Sequence, residues 1–238
     1  MTKKLFFIDI LKSLILTLII GWAILALILF IYSKIWANFW IIAWGILSVF
    51  SILMIMFYSS LIVPLFNKQT PLDDWELKTA INDFALKVGY KLENIYVIDG
   101  SKRSNKANAY FSWLGKSKRI VLFDTLINDL ITEEIVWVLA HEIGHYKKKH
   151  TKQMLLFSLI QTFVIFYLFS LFISNLWIAN ALNSSHSSFH LWAIWFSILF
   201  SPISLVLGIF GNLLSRKNEF EADNYAKVNY SGTSLISW

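Results

Sequence analysis

From Gln153 to Ser215 the chain contains no Asp, Glu, Lys or Arg. A charge-free run of that length fits two helices crossing a bilayer, each needing about 20 apolar residues for a hydrocarbon core about 30 Å thick. Two earlier runs have the same character, so four spans are expected, at residues 14–32, 39–63, 154–178 and 191–214. The composition agrees: 57% of residues are hydrophobic and 15% charged, against about 25% charged in soluble domains. The first run follows Lys3, Lys4 and Lys12. It is too long for the apolar part of a signal peptide and is not followed by a small-x-small cleavage site, so it reads as a retained anchor.

Basic residues give the orientation. Lys3, Lys4 and Lys12 precede the first span, Lys34 alone occupies the turn after it, and the segment 67–153 is dense in Lys and Arg. The loop 174–190 has none, and Arg216, Lys217 and Lys227 follow the last span. The positive-inside rule puts both termini and the middle segment in the cytoplasm. The net charge of +6 then marks membrane orientation, and nucleic acid is not an expected partner. No Cys is present, which excludes disulfides, thiolate metal sites and a Cys nucleophile.

The organisation that follows is two spans in 1–63, a cytoplasmic segment in 64–153, two spans in 154–214 and a tail in 215–238. In the middle segment Pro64 and Pro71 mark the exit from the membrane. Asp73-Asp74 lead a helix with Leu77, Ile81, Phe84, Ala85 and Val88 on one face, closed by Gly89. Ile95–Ile98, 109–113 and Arg119–Phe123 read as strands, the last two joined by a turn at Gly115. Thr132, Glu133 and Glu134 open a further helix.

That helix carries His141-Glu142-Ile143-Gly144-His145. Two His four apart on a helix share a face and can bind one Zn²⁺, with the intervening Glu placed to take a proton from water. A catalytic site needs a third protein ligand. His150, five residues beyond His145, is expected to face about 140° away, and His186 and His190 fall beside the outer loop. The remaining candidates lie in Arg216-Lys217-Asn218-Glu219-Phe220-Glu221-Ala222-Asp223, where Arg216, Glu219 and Asp223 share one helix face. One carboxylate can bind the metal while the other orients a ligand His. Glu221 points off that face and is expected in solvent.

These motifs, with the segments 64–68, 95–104, 108–111 and 120–126, resemble the type I CAAX prenyl endopeptidases, integral-membrane zinc metalloproteases related to the HtpX heat-shock proteases. The resemblance covers roughly 63–230. It implies a mainly α, multi-pass transmembrane protein with a small zincin-like α+β segment. It implies His141, His145 and Glu219 as zinc ligands, Glu142 as general base, Asp223 behind a ligand His, and Arg216 and Asn212 supporting the same helix. Asn108, Ala109 and Tyr110 match the region that holds substrate backbone as an added strand. The implied partners are the lipid bilayer and a peptide or protein substrate, a prenylated CAAX C-terminus in this family. Richness in Ile, Lys, Asn and Phe points to a bacterial inner membrane, with the ER membrane expected of a eukaryotic source. The family usually has about seven spans and a further Ser-His-Pro segment after the position of Tyr230, so the chain reads as truncated at both ends. Two other readings stay open: an HtpX-like quality-control protease, and a zinc-binding fragment that only binds peptides or partner subunits.

Overall fold

β-Branched and aromatic residues dominate Asn94–Ile98 (β2) and Arg119–Phe123 (β4), and in the computed structural model these strands pair in parallel, Ile95 opposite Ile120 and Val97 opposite Leu122. Ala109–Ser112 (β3) lies antiparallel to β4. Gln69–Pro71 (β1) adds to the other side of β2, giving the order β1-β2-β4-β3. Sequence reading missed β1, because a three-residue strand ending in Pro carries a turn signature; its edge position tolerates the missing N–H of Pro71. The structure describes residues 1–35, 38–90, 92, 94–106, 108–112, 119–172 and 189–230, without the side chains of 111–112, 172, 189–195 and 199. The expected turn at Gly115, His186 with most of its loop, and the tail from 231 lie outside the described residues.

Two compact units emerge. The first comprises Met1–Leu18, Ser51–Thr151 and the last helix from Asn218 onward. Its core gathers Leu77, Ile81 and Phe84 of helix α4 (Trp75–Lys87), Ile120 and Leu122 of β4, Leu126 of α5 (Asp124–Asp129) and Ile135, Leu139 and Ile143 of α6 (Thr132–Lys147). The spacing of three and four in α4 buries the expected face. Asp74 caps that helix, its Oδ1 accepting from the N–H groups of Glu76 and Leu77 at 3.0 and 3.2 Å. Gly89, at φ +64°, lets the chain turn away from it. Glu134 accepts from the N–H of Ile131 at 3.1 Å and secures the start of α6. Arg103 ties the N-terminal segment to this unit through Asp9, at 2.8 and 3.1 Å.

The second unit, Ile19–Phe50 with Lys152–Lys217, is built from span helices. Phe39, Ala43 and Phe169 form its small core, and the Trp44 indole N–H donates to the Leu159 carbonyl at 3.1 Å. Among the described residues four helices are long and apolar enough to cross a membrane: Lys3–Lys34, Phe39–Phe66, His150–Leu171 and Phe196–Asn229. Large apolar side chains such as Trp22 and Leu205 stand exposed on them, as expected of surfaces that face lipid.

Helix α1 (Lys3–Lys34) starts well before the expected apolar boundary, since backbone hydrogen bonding does not stop where the hydrocarbon does. The second span is α2 (Phe39–Phe57), a π-turn at Tyr58–Ile62 and the short α3 (Val63–Phe66). Pro64 supplies no N–H there, a reason for the ladder to loosen just ahead of it. Helix α7 (His150–Phe172) begins at His150. Helix α8 runs unbroken from Phe189 to Asn229, so the fourth apolar run and the acidic cluster share one helix. The chain is a multi-pass integral membrane protein of mainly α class, with one small mixed sheet among the described residues.

Candidate metal centre

One turn of α6 separates His141 from His145, and their Nε2 atoms lie 3.0 Å apart. Helix α8 brings Glu219 Oε2 to 3.3 Å from the first and 3.6 Å from the second. Among the described residues these three form a group whose donor atoms all fall within 4.8 Å. A tetrahedral ion with ligand bonds of about 2.0–2.1 Å holds its donors about 3.3–3.4 Å apart, which the three separations bracket. Two imidazoles and one carboxylate around a common point therefore fit a divalent metal, and the three donors leave room for a fourth position.

Both His rings are turned by their far nitrogens. His141 Nδ1 lies 2.8 Å from Asp223 Oδ1, so an Nδ1–H donated to that carboxylate leaves the Nε2 lone pair facing the centre. His145 Nδ1 lies 3.0 Å from Nδ1 of His150, whose Nε2 is 3.2 Å from Glu221 Oε2. This corrects two sequence expectations. His150 does not face away, because α6 ends at Lys147 and Lys149 takes φ 61°, so the next helix starts with His150 turned back toward His145. The 140° estimate assumed an unbroken helix. Glu221 does not stand free in solvent; it is half-buried and meets Nε2 of His150.

Close approach of α8 to α6 depends on two small residues. A Cβ built on Gly144 would meet Ala222 Cα and Tyr225 Cβ at 3.1 Å and the Ala222 carbonyl at 3.2 Å. Ala222 and Ala226 are fully buried. Any side chain at 144 must push back the helix that carries Glu219. Gly144→Ala is expected to destabilise the chain by about 1–3 kcal/mol through overpacking and to weaken metal binding about tenfold. Gly144→Val is expected to do more of both. Thermal unfolding and chelator competition on the same samples check this; unchanged affinity in Gly144→Val would show that the helix contact does not set the site.

Burial first, and then repulsion from the Glu219 carboxylate, push the Glu142 carboxyl up to about 7. Burial and the neighbouring His141 hold the His145 imidazole below its ordinary value, which favours the neutral, ligating form.

The structure places the other sequence candidates as follows. Asn108 precedes β3, and its carbonyl accepts from the N–H of Phe123 at 3.0 Å. Ala109 is buried and Tyr110 half-buried on β3 itself. Among the described residues β3 pairs with β4 on one side and with no strand on the other, and it packs against α6. Arg216 and Asn212 are exposed on α8 and belong to the membrane unit. Sequence reading placed His150 and Glu221 away from the site, and it gave Gly144 and Ala222 no separate role. The Ala222/Ala226 spacing of four was the available hint for a close helix contact.

Comparison with known proteins agrees with this geometry. Residues 71–232 match peptidase family M48, and residues 1–68 match the CAAX prenyl protease N-terminal segment of five membrane helices. CAAX prenyl protease 1 of Saccharomyces cerevisiae is 42% identical over 95% of this chain and 54% of its own length. The homolog of Dictyostelium discoideum is 39% identical over the same shares, and that of Homo sapiens is 32% identical over 96% and 56%. The crystal structure of S. mikatae Ste24p superposes with a TM-score of 0.90 at 41% identity, covering 99% of this chain and 59% of that one. The chain thus spans about half the length of the curated relatives it matches. With the match covering more than half of its residues, and with a His-Glu-x-x-His helix facing a carboxylate from α8, the chain belongs to peptidase family M48.

Proposed function

We propose that this chain carries the catalytic centre of a membrane zinc endopeptidase of the CAAX prenyl protease type, acting on a peptide bond near the C-terminus of prenylated or membrane-associated peptides. The observation that supports it best is the triangle of His141 Nε2, His145 Nε2 and Glu219 Oε2, with Glu142 alongside. His141, His145 and Glu219 would hold the ion, and Zn²⁺ suits a set of two imidazoles and one carboxylate; bound there, it supplies Lewis acidity to the scissile carbonyl.

The protein groups then have separate tasks. Glu142 accepts the proton of the attacking water and passes it to the departing amine. Asp223 fixes the tautomer of His141. The open edge of β3, at Ala109 and Tyr110 with Asn108 ahead of it, offers backbone groups to an extended peptide as a fifth strand. Basic residues on the middle segment support a cytoplasmic active site. The relatives from a yeast, a slime mould and human support an ER-type membrane over the bacterial inner membrane. They also favour the prenyl protease reading over an HtpX-like one, as does the match of residues 1–68.

The test is the chain in detergent or liposomes with a farnesylated CAAX peptide. Chelator-sensitive release of the last three residues is expected. Cleavage of unfolded membrane protein but not of the farnesylated peptide would move the assignment to quality control. Stoichiometric metal with cleavage of neither substrate would make this chain a binding module.

A further inference from the structure

Each ligand His of the proposed centre has one nitrogen facing the metal triangle and the other engaged elsewhere. For His141 the partner is a carboxylate, Asp223, in direct contact. For His145 the partner is a second imidazole, His150, whose far nitrogen meets the carboxylate of Glu221. Resting on the metal reading above, the geometry points to His150 and Glu221 as a positioning pair that holds His145 in its metal-binding tautomer.

The direction of these hydrogen bonds follows from ligation. If His145 binds through Nε2, that atom offers a lone pair, so its proton sits on Nδ1 and donates to Nδ1 of His150 at 3.0 Å. His150 must then accept at Nδ1 and carry its own proton on Nε2, which donates to Glu221 Oε2 at 3.2 Å. The opposite direction would place a proton on His145 Nε2, aimed at the metal. A carboxylate at the end of the chain selects the first arrangement, because it can only accept.

The fold commits resources to this contact. His150 is 2% exposed, a buried polar side chain satisfied from both ends. Lys149 takes a left-handed conformation, φ 61°, unfavourable for a side chain of its kind, and this places His150 at the head of α7 rather than around the back of α6. Glu219, Glu221 and Asp223 then divide the work of one stretch of α8. The first faces the metal, and the other two back the two His ligands, one directly and one through His150.

Zn²⁺ affinity of the full-length chain, measured by chelator competition, tests the pair without reliance on turnover. His150→Phe keeps the ring volume but offers no acceptor, and it should weaken Zn²⁺ binding about 10–100-fold. His150→Asn, whose Oδ1 can stand in for Nδ1, should recover to within about threefold of wild type, which a purely packing role would not predict. Glu221→Ala, at a half-exposed position that tolerates truncation, should weaken binding about 3–10-fold and add nothing further in the His150→Phe background. Should His150→Phe fail to fold, Glu221→Ala decides alone. Wild-type affinity in His150→Phe or in Glu221→Ala, or equal losses in His150→Phe and His150→Asn, would overturn the assignment. A wild-type chain that takes up no Zn²⁺ overturns the metal reading and the pair together, whereas normal uptake by both wild type and His150→Phe overturns the pair alone.

Discussion

Glu219→Ala should lower metal affinity by about 10²–10³-fold, leaving a two-His site that cannot retain an ion through dialysis against a chelator. The reasoning is geometric. The two Nε2 atoms are 3.0 Å apart on α6, and the third donor comes from a helix distant in sequence, 3.3 and 3.6 Å away. Of the order of 10–16 kcal/mol shared among four ligands makes each one worth several kcal/mol, so removing one of three protein ligands is severe. Asp223→Ala should cost only about 10–100-fold, because it removes the support of His141 and leaves the ligand itself. Metal content per chain, measured on both variants after the same dialysis, checks the ranking. Full metal in Glu219→Ala would remove Glu219 from the coordination set, and a greater loss in Asp223→Ala would exchange the two roles.

Glu142→Gln should do the reverse: keep the metal and lose turnover by about 10²–10⁴-fold, the range for a positioned general base. Gln preserves shape and hydrogen-bonding capacity but cannot take a proton. The same substitution has a second expected effect, on the stability of the metal-free protein. Folding raises the Glu142 carboxyl from 4.5 to about 7. Between those values the folded chain therefore binds more protons than the unfolded one. Stability then falls as pH rises through this window, and the loss is complete above it. The shift corresponds to about 3 kcal/mol. Glu142→Gln should remove that slope, so the chelated variant should unfold at higher temperature than chelated wild type at pH 8 and differ little from it at pH 4.5. Identical melting profiles across this range would show that Glu142 is not held in a costly environment.

How much of this was readable beforehand differs by feature. The α4 face, with Leu77, Ile81, Phe84 and Ala85, followed from periodicity, and its Asp74 cap and Gly89 stop from local backbone chemistry. Strands β2 and β4 followed from their residue types. β1 did not, because its pairing with β2 is made between distant segments and outweighs a weak local preference. In the site, His141 and His145 shared a face as their spacing requires. Glu221 and His150 were misplaced for one shared reason. Helical spacing is reliable only while the helix continues and says nothing about a neighbouring helix. Lys149 breaks the first condition, and the α6–α8 contact lies beyond the second.

By itself, then, the sequence determined that this chain lives in a membrane and that one of its helices presents His-Glu-x-x-His, since hydropathy and helical spacing are properties of contiguous residues. The tertiary structure decided which carboxylate each His meets. That depends on how closely α8 approaches α6, a distance set by the missing side chain of Gly144 against Ala222. It depends also on a single left-handed residue, Lys149, that turns His150 back toward the site. Contacts between helices arise from packing in three dimensions, and no one-dimensional period records them.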